Sequence, residues 1–171
     1  SIDDQIKSSD ITFFNLVYET IQLRMDEVES FYEEILFTPF SFNIMEEINL
    51  DYENLEYVEG TDNLKNLWRK RLKLSALDGF ASKKEINIKD DKIKSDLEIE
   101  IEARKSISDN LRDFFQFNNE LERKDWFSIY LNSIVTQFDP HTNYFAPEAK
   151  EVFDQNISGK FQGIGARLFK R

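Results

Sequence analysis

Glycine and proline, the residues that interrupt regular structure most sharply, are scarce: ahead of Pro140 the chain holds only Pro39, Gly60 and Gly79. The other three glycines sit at positions 159, 163 and 165. A chain with so few breakers has few places to turn, so its long amphipathic stretches are expected to be helices, with a change of character near the end.

Periodicity places those helices. Phe14, Val17, Tyr18, Ile21, Met25, Val28, Tyr32 and Ile35 recur at three- and four-residue spacing, with Ser9 or Asp10 able to cap the start and Pro39 beyond the end. Glu27, Glu29, Glu33 and Glu34 fall in the far half of this helix, where they oppose its dipole. The following FSFNIMEEINLDYENLEYVEG is weakly periodic and is expected to pack as extended chain with a short helix. A second helix is predicted from Thr61 or Asp62, with Leu64, Leu67, Trp68, Leu72 and Leu77 inward and Gly79 as its stop. Its Arg69, Lys70, Arg71 and Lys73 form one dense basic patch, read as a solvated face paired with the chain's own acids. In KDDKIKSDLEIEIEARKSISDNL, Leu97, Ile99 and Ile101 alternate as in a strand. Ile93, Leu97, Ile101, Ile107 and Leu111 instead keep helical spacing, and length favours a helix to about Phe117. Glu100 and Arg104 are spaced as a helical surface ion pair. A last long helix, RKDWFSIYLNSIVTQF, is capped by Asp125 and directs Phe127, Tyr130, Leu131, Ile134 and Phe138 to one side.

Composition removes several function classes. Forty per cent of residues are hydrophobic, enough for a core, and the net charge of −11 with a pI near 4.6 argues against nucleic acid, whose phosphates need clustered cations. The absence of cysteine excludes disulfides, Cys-ligated zinc and a Cys nucleophile within these residues. No run approaches the length of a transmembrane segment. The opening SIDDQIKSSD reads as the middle of a longer chain, so any targeting signal is expected to have been removed or excluded.

The densest polar chemistry lies in FDPHTNYFAP, residues 138–147, which holds the single histidine. A histidine base needs a nucleophile and an orienting acceptor, and a metal site needs further ligands at suitable spacing; neither pattern surrounds His141. The residues favour a turn: Pro140 ends the preceding helix and Pro147 opens another, PEAKEVFDQ. Asp139, His141, Thr142 and Tyr144 are expected to hold the angle between the two helices by hydrogen bonds. Downstream, SGKFQGIGARLFKR has a G-x-G near basic residues, but a strand rather than a phosphate-binding helix is expected after it.

The run FSIYLNSIVTQFDPHTNYFAPEAKEVFDQNISGKFQGIGARL resembles the tail-specific, or C-terminal processing, protease family. Members carry a D-P-H-T-x-Y-(F/L)-x-P turn after a helix, then a G-I-G-A segment opening a PDZ domain. NLWRKRLK also resembles a stretch in the helical N-terminal domain of the larger members, so the likeness spans residues 62–168. Ala146 departs from the pattern, standing where Ser is usual before the proline. The resemblance implies a mainly α, multi-helix N-terminal domain over residues 1–157, with residues 158–171 as linker and first strand of a truncated PDZ domain. It implies a serine endopeptidase of the bacterial periplasm or envelope, cutting proteins marked by an apolar C-terminal tail with a Ser nucleophile and a Lys base, without metal or cofactor. No catalytic residue is assigned within this chain. Gly163, Ile164, Gly165, Ala166 and Leu168 are the implied substrate-binding start of the PDZ, and Phe161 a candidate hinge. Two other readings stay open: a helical module docking a protein adaptor through its acidic surface or the basic patch, and a free-standing helical protein.

Overall fold

In the computed structural model, which describes residues 7–51, 54–89 and 94–158, the apolar stripes become five helices. They are α1 (Thr12–Phe37), α2 (Thr61–Lys89), α3 (Asp96–Glu120), α4 (Arg123–Phe138) and α5 (Pro147–Ser158). The chain forms two compact units, Ser1–Glu120 and Leu121–Arg171. No strand occurs among the described residues, and the predicted C-terminal strand lies outside them.

In the first unit α1, α2 and α3 pack pairwise. The core gathers Val28, Phe31, Tyr32, Ile35 and Leu36 from α1 with Leu72 and Phe115, and the Tyr32 and Phe115 rings lie 5.3 Å apart. Phe31 and Leu36 fall outside the predicted stripe. They are buried because the second half of α1 faces two helices at once, which widens its apolar face. In the first half, Ile21 is exposed although the stripe points it inward. The N-cap is Ile11 rather than Ser9 or Asp10 and makes no side-chain cap bond; Asp10, one residue earlier, accepts the Thr12 N–H at 2.8 Å.

Gly79 does not end α2, which continues ten residues further to Lys89. It sits at a close approach of α2 to α3: Ala76 and Ala103 are buried, and a Cβ built on Gly79 would lie 3.4 Å from Ala103 Cβ. Three small residues permit the close crossing, so tertiary packing overrides the glycine's weak helix propensity. Leu77, predicted inward, is 41% exposed on the other side of α2. The Thr61 hydroxyl donates to Glu27 of α1 at 2.7 Å, so it ties two helices together rather than capping its own. On α3 the strand-like alternation resolves as helix: Ile99 is buried, whereas Leu97 and Ile101 are exposed. Its start is a reciprocal cap in which Ser95 N–H donates to Glu98 and the Glu98 N–H donates back to Ser95 Oγ.

The segment 38–60 carries no helix among its described residues and runs as a strap over α2. The basic patch holds it there. Arg69 pairs with both oxygens of Glu46, Lys73 donates to Glu46 and to the Ile44 carbonyl, each at 2.7 Å, and Lys70 donates to the Glu47 carbonyl at 2.9 Å. Phe42 packs on Phe80 of α2 with centroids 5.7 Å apart.

The Glu100–Arg104 pair is not a surface pair. Both side chains are about nine-tenths buried and meet at 2.7 Å. Arg104 donates to the Leu36 and Phe37 carbonyls at the end of α1, and Glu100 Oε1 accepts the Phe40 N–H at 3.2 Å. The pair therefore caps α1 from across the unit.

Two outcomes follow. Gly79→Ala fits the space and should raise stability by about 0.5–1 kcal/mol through helix propensity, whereas Gly79→Leu should lower it by about 1–3 kcal/mol through overpacking; urea unfolding reads both. Donation by Arg69 and then Lys73 holds the Glu46 carboxyl down at about 2, below its ordinary 4.5. Its contribution is complete above that ordinary value and is lost as pH falls toward the folded one. NMR shifts of the Ile44 and Glu47 amides should step over that range in the wild type and not in Glu46→Gln.

Candidate functional site

The second unit holds the motif that drew attention in the sequence, and polar contacts organise it. None of its described residues is buried. α4 opens on Arg123, with the Asp125 carboxylate reaching back to the Glu122 N–H at 2.9 Å from the third helical position. It closes at Phe138, where Pro140 forbids continuation and Asp139 turns extended (φ −149°, ψ 114°). Phe138, predicted to point inward with the α4 stripe, is 82% exposed.

Asp139 organises the turn. One carboxylate oxygen accepts the His141 N–H at 2.9 Å and the other accepts the Thr142 hydroxyl at 2.7 Å. The Asp139 carbonyl accepts the Thr142 N–H at 3.0 Å, closing the reversal. Donation by Thr142, and next by His141, lowers the Asp139 pKa from its ordinary value. His141 contributes its backbone; its side chain is exposed. Among the described residues no group of three or more His, Asp or Glu is placed to hold a metal ion.

Tyr144 is likewise held through its backbone, by a residue the sequence reading passed over. Asn132, in the middle of α4, accepts the Tyr144 N–H at 2.7 Å and donates to the Tyr144 carbonyl at 3.2 Å. The available signal was a polar, poor helix former set in the apolar run YLNSIV. Asn132 lies six residues before the end of α4, so the loop has folded back about 9 Å along the helix by Tyr144. The return continues: Lys124, in the first turn of α4, meets Glu148 in the first turn of α5 at 3.3 Å. Pro147 is the first residue of α5, the Ala146 carbonyl accepts the Lys150 N–H at 2.8 Å, and Phe145 stacks on Phe153 with centroids 4.9 Å apart. The segment from Asp139 to Glu148 thus runs antiparallel to α4 and launches α5 from the opposite end of that helix. Phe161, Gly163, Ile164, Gly165, Ala166 and Leu168 lie outside the described residues.

The family model described as Tail specific protease N-terminal domain matches residues 1–148, ending just past this turn. The chain belongs to that family. It is also similar to a tail-specific protease of Haemophilus influenzae (strain ATCC 51907 / DSM 11121 / KW20 / Rd), 24% identical over 167 residues. That match covers 98% of this chain and 22% of the relative, so the chain spans under a quarter of the relative's length. No solved structure matches it.

The geometry shifts the weight of the turn from the histidine to the aspartate. Asp139→Ala should free the Thr142 hydroxyl and speed amide exchange at His141 and Thr142, whereas His141→Ala keeps the same backbone donor and should leave both amides protected. Because the Asp139 pKa is lowered, its hold is full above the ordinary carboxylate value and fades as pH falls through the folded one. An NMR titration of the Thr142 amide checks this.

Proposed function

We propose that this chain is the N-terminal helical scaffold of a serine endopeptidase that degrades or processes proteins from an apolar C-terminal tail. The observation that carries the reading is the family match, which covers residues 1–148, from the first unit through α4 and the D-P-H-T turn to the start of α5. On this reading residues 1–157 are the scaffold and residues 158–171 begin a PDZ domain. That domain would take the tail by edge-strand pairing, with Gly163, Ile164, Gly165, Ala166 and Leu168 at its entrance and Phe161 as a hinge. The chemistry is supplied beyond this chain by a Ser nucleophile and a Lys base. The Lys must be desolvated enough to be neutral near pH 7 for the pair to work. The enzyme acts in the periplasm or envelope, where its substrates are proteins with apolar tails.

The turn at 139–147 is then a joint between the scaffold and the substrate-reading domain, with Asp139, Pro140, His141, Thr142, Tyr144 and Pro147 shaping it. The alternative of a docking module gains no support from the basic patch, since Arg69, Lys70 and Lys73 are engaged by the strap.

The test uses the full-length protein and one reporter protein made with two tails. Cleavage of the reporter ending in apolar residues, with little cleavage of the same reporter ending in aspartates, is the expected result. Equal cleavage of both would remove the tail reading, and no hydrolysis of either would remove the protease reading.

A further inference from the structure

We infer that Asn132 is the positioning residue of this joint, setting the register in which the chain returns along α4 and so the point from which α5 departs. The functional half of this inference rests on the joint reading above.

Three observations carry it. First, the Asn132 amide engages both backbone groups of a single residue, donating to the Tyr144 carbonyl and accepting its N–H. This is the pairing a neighbouring strand would offer, and it fixes the orientation of the Tyr144 backbone as well as its distance. Second, the contact sits midway along the return, between the reversal at Asp139 and the Lys124–Glu148 contact. Asp139 sets only the first three residues of the turn. The Lys124–Glu148 pair has side chains 56% and 83% exposed, and an exposed pair of this kind restrains little. Third, Asn132 is half-buried, so a slipped loop would leave its amide poorly compensated by water. Asp139 makes the chain turn back; Asn132 decides where along α4 it lies.

The consequence for the enzyme is specific. If the segment after α5 reads substrate tails, a loop free to slip on α4 uncouples that reader from the rest of the protein without touching the chemistry. Loss of Asn132 should therefore lower activity on tailed proteins and spare hydrolysis of a short untailed peptide.

The experiment compares full-length wild type, Asn132→Ala, Asn132→Asp and Asp139→Ala. Asn132→Asp keeps an acceptor for the Tyr144 N–H and loses the donor, so it should fall between wild type and Asn132→Ala. It also serves if the alanine variant does not fold. Hydrogen exchange of a peptide covering residues 142–146 reads the clamp directly, and Asn132→Ala should accelerate the Tyr144 amide by about tenfold, as loss of one hydrogen bond implies. The kinetic arm should show kcat/KM for an apolar-tailed protein reduced several-fold, with the short-peptide rate unchanged. Unchanged exchange would overturn the clamp. Faster exchange with undiminished activity on the tailed protein would overturn the positioning role. Reduced tail-dependent activity in Asp139→Ala but not in Asn132→Ala would sink this inference while leaving the joint reading intact. If neither variant lowers that activity, the joint reading falls with it.

Discussion

The first unit depends on a buried ion pair that a surface count would overlook. Glu100 and Arg104 are one turn apart on α3, yet they hold the end of a different helix and the chain that follows it. The last carbonyls of α1 have no partners within their own helix and carry partial negative charge, so a guanidinium beside them is favourable. Arg104 supplies it, Glu100 neutralises it, and the Phe40 N–H completes the set. Glu100 Oε2 is buried without a hydrogen bond among the described residues, so this carboxylate tolerates burial only because the guanidinium is there. With the end of α1 fixed, the strap is led across α2, where Glu46 meets Arg69 and Lys73. In an acidic chain of net charge −11, Arg104, Arg69 and Lys73 stand where backbone carbonyls and carboxylates are brought together.

The second unit is likewise ordered by polar side chains, the Asp139 carboxylate and the Asn132 amide. With no buried residue among the described positions of α4 and α5, order comes from side-chain hydrogen bonds: Asp139 to the His141 N–H and the Thr142 hydroxyl, Asn132 to the Tyr144 backbone. Such contacts are directional, so they fix the angle and register of the groups they join. Apolar packing adds the stacked rings of Phe127 on Tyr130 and of Phe145 on Phe153. A family member whose N-terminal domain ends in this geometry has a defined point of departure for whatever chain comes next.

Helix existence was legible because Gly and Pro are scarce and the stripes are long. What was not legible was long-range. Gly79 has the local look of a stop and is kept inside α2 by Ala103, a partner on another helix. Glu100 and Arg104 have the spacing of a solvated pair, and their burial follows from Leu36, Phe37 and Phe40, more than sixty residues away in the chain for Leu36 and Phe37. The basic patch does pair with one of the chain's own acids, Glu46, but it is not the solvated face expected: Arg69, Lys70, Arg71 and Lys73 are half-buried, and Lys70 and Lys73 also hold carbonyls of the strap. His141 attracted notice by being unique, whereas the turn hangs on Asp139. Asn132 was missed because an asparagine inside a helix carries no motif.

The claim that charge pairing closes the first unit is tested most directly by a double-mutant cycle on Glu100 and Arg104, read by urea unfolding. Arg104→Met alone should cost about 3–5 kcal/mol, since it strands a buried carboxylate. Glu100→Met/Arg104→Met should recover much of that loss, giving a coupling well beyond the roughly 0.3–0.5 kcal/mol of an exposed helical pair. Additive single effects, or a coupling no larger than the exposed value, would contradict the account.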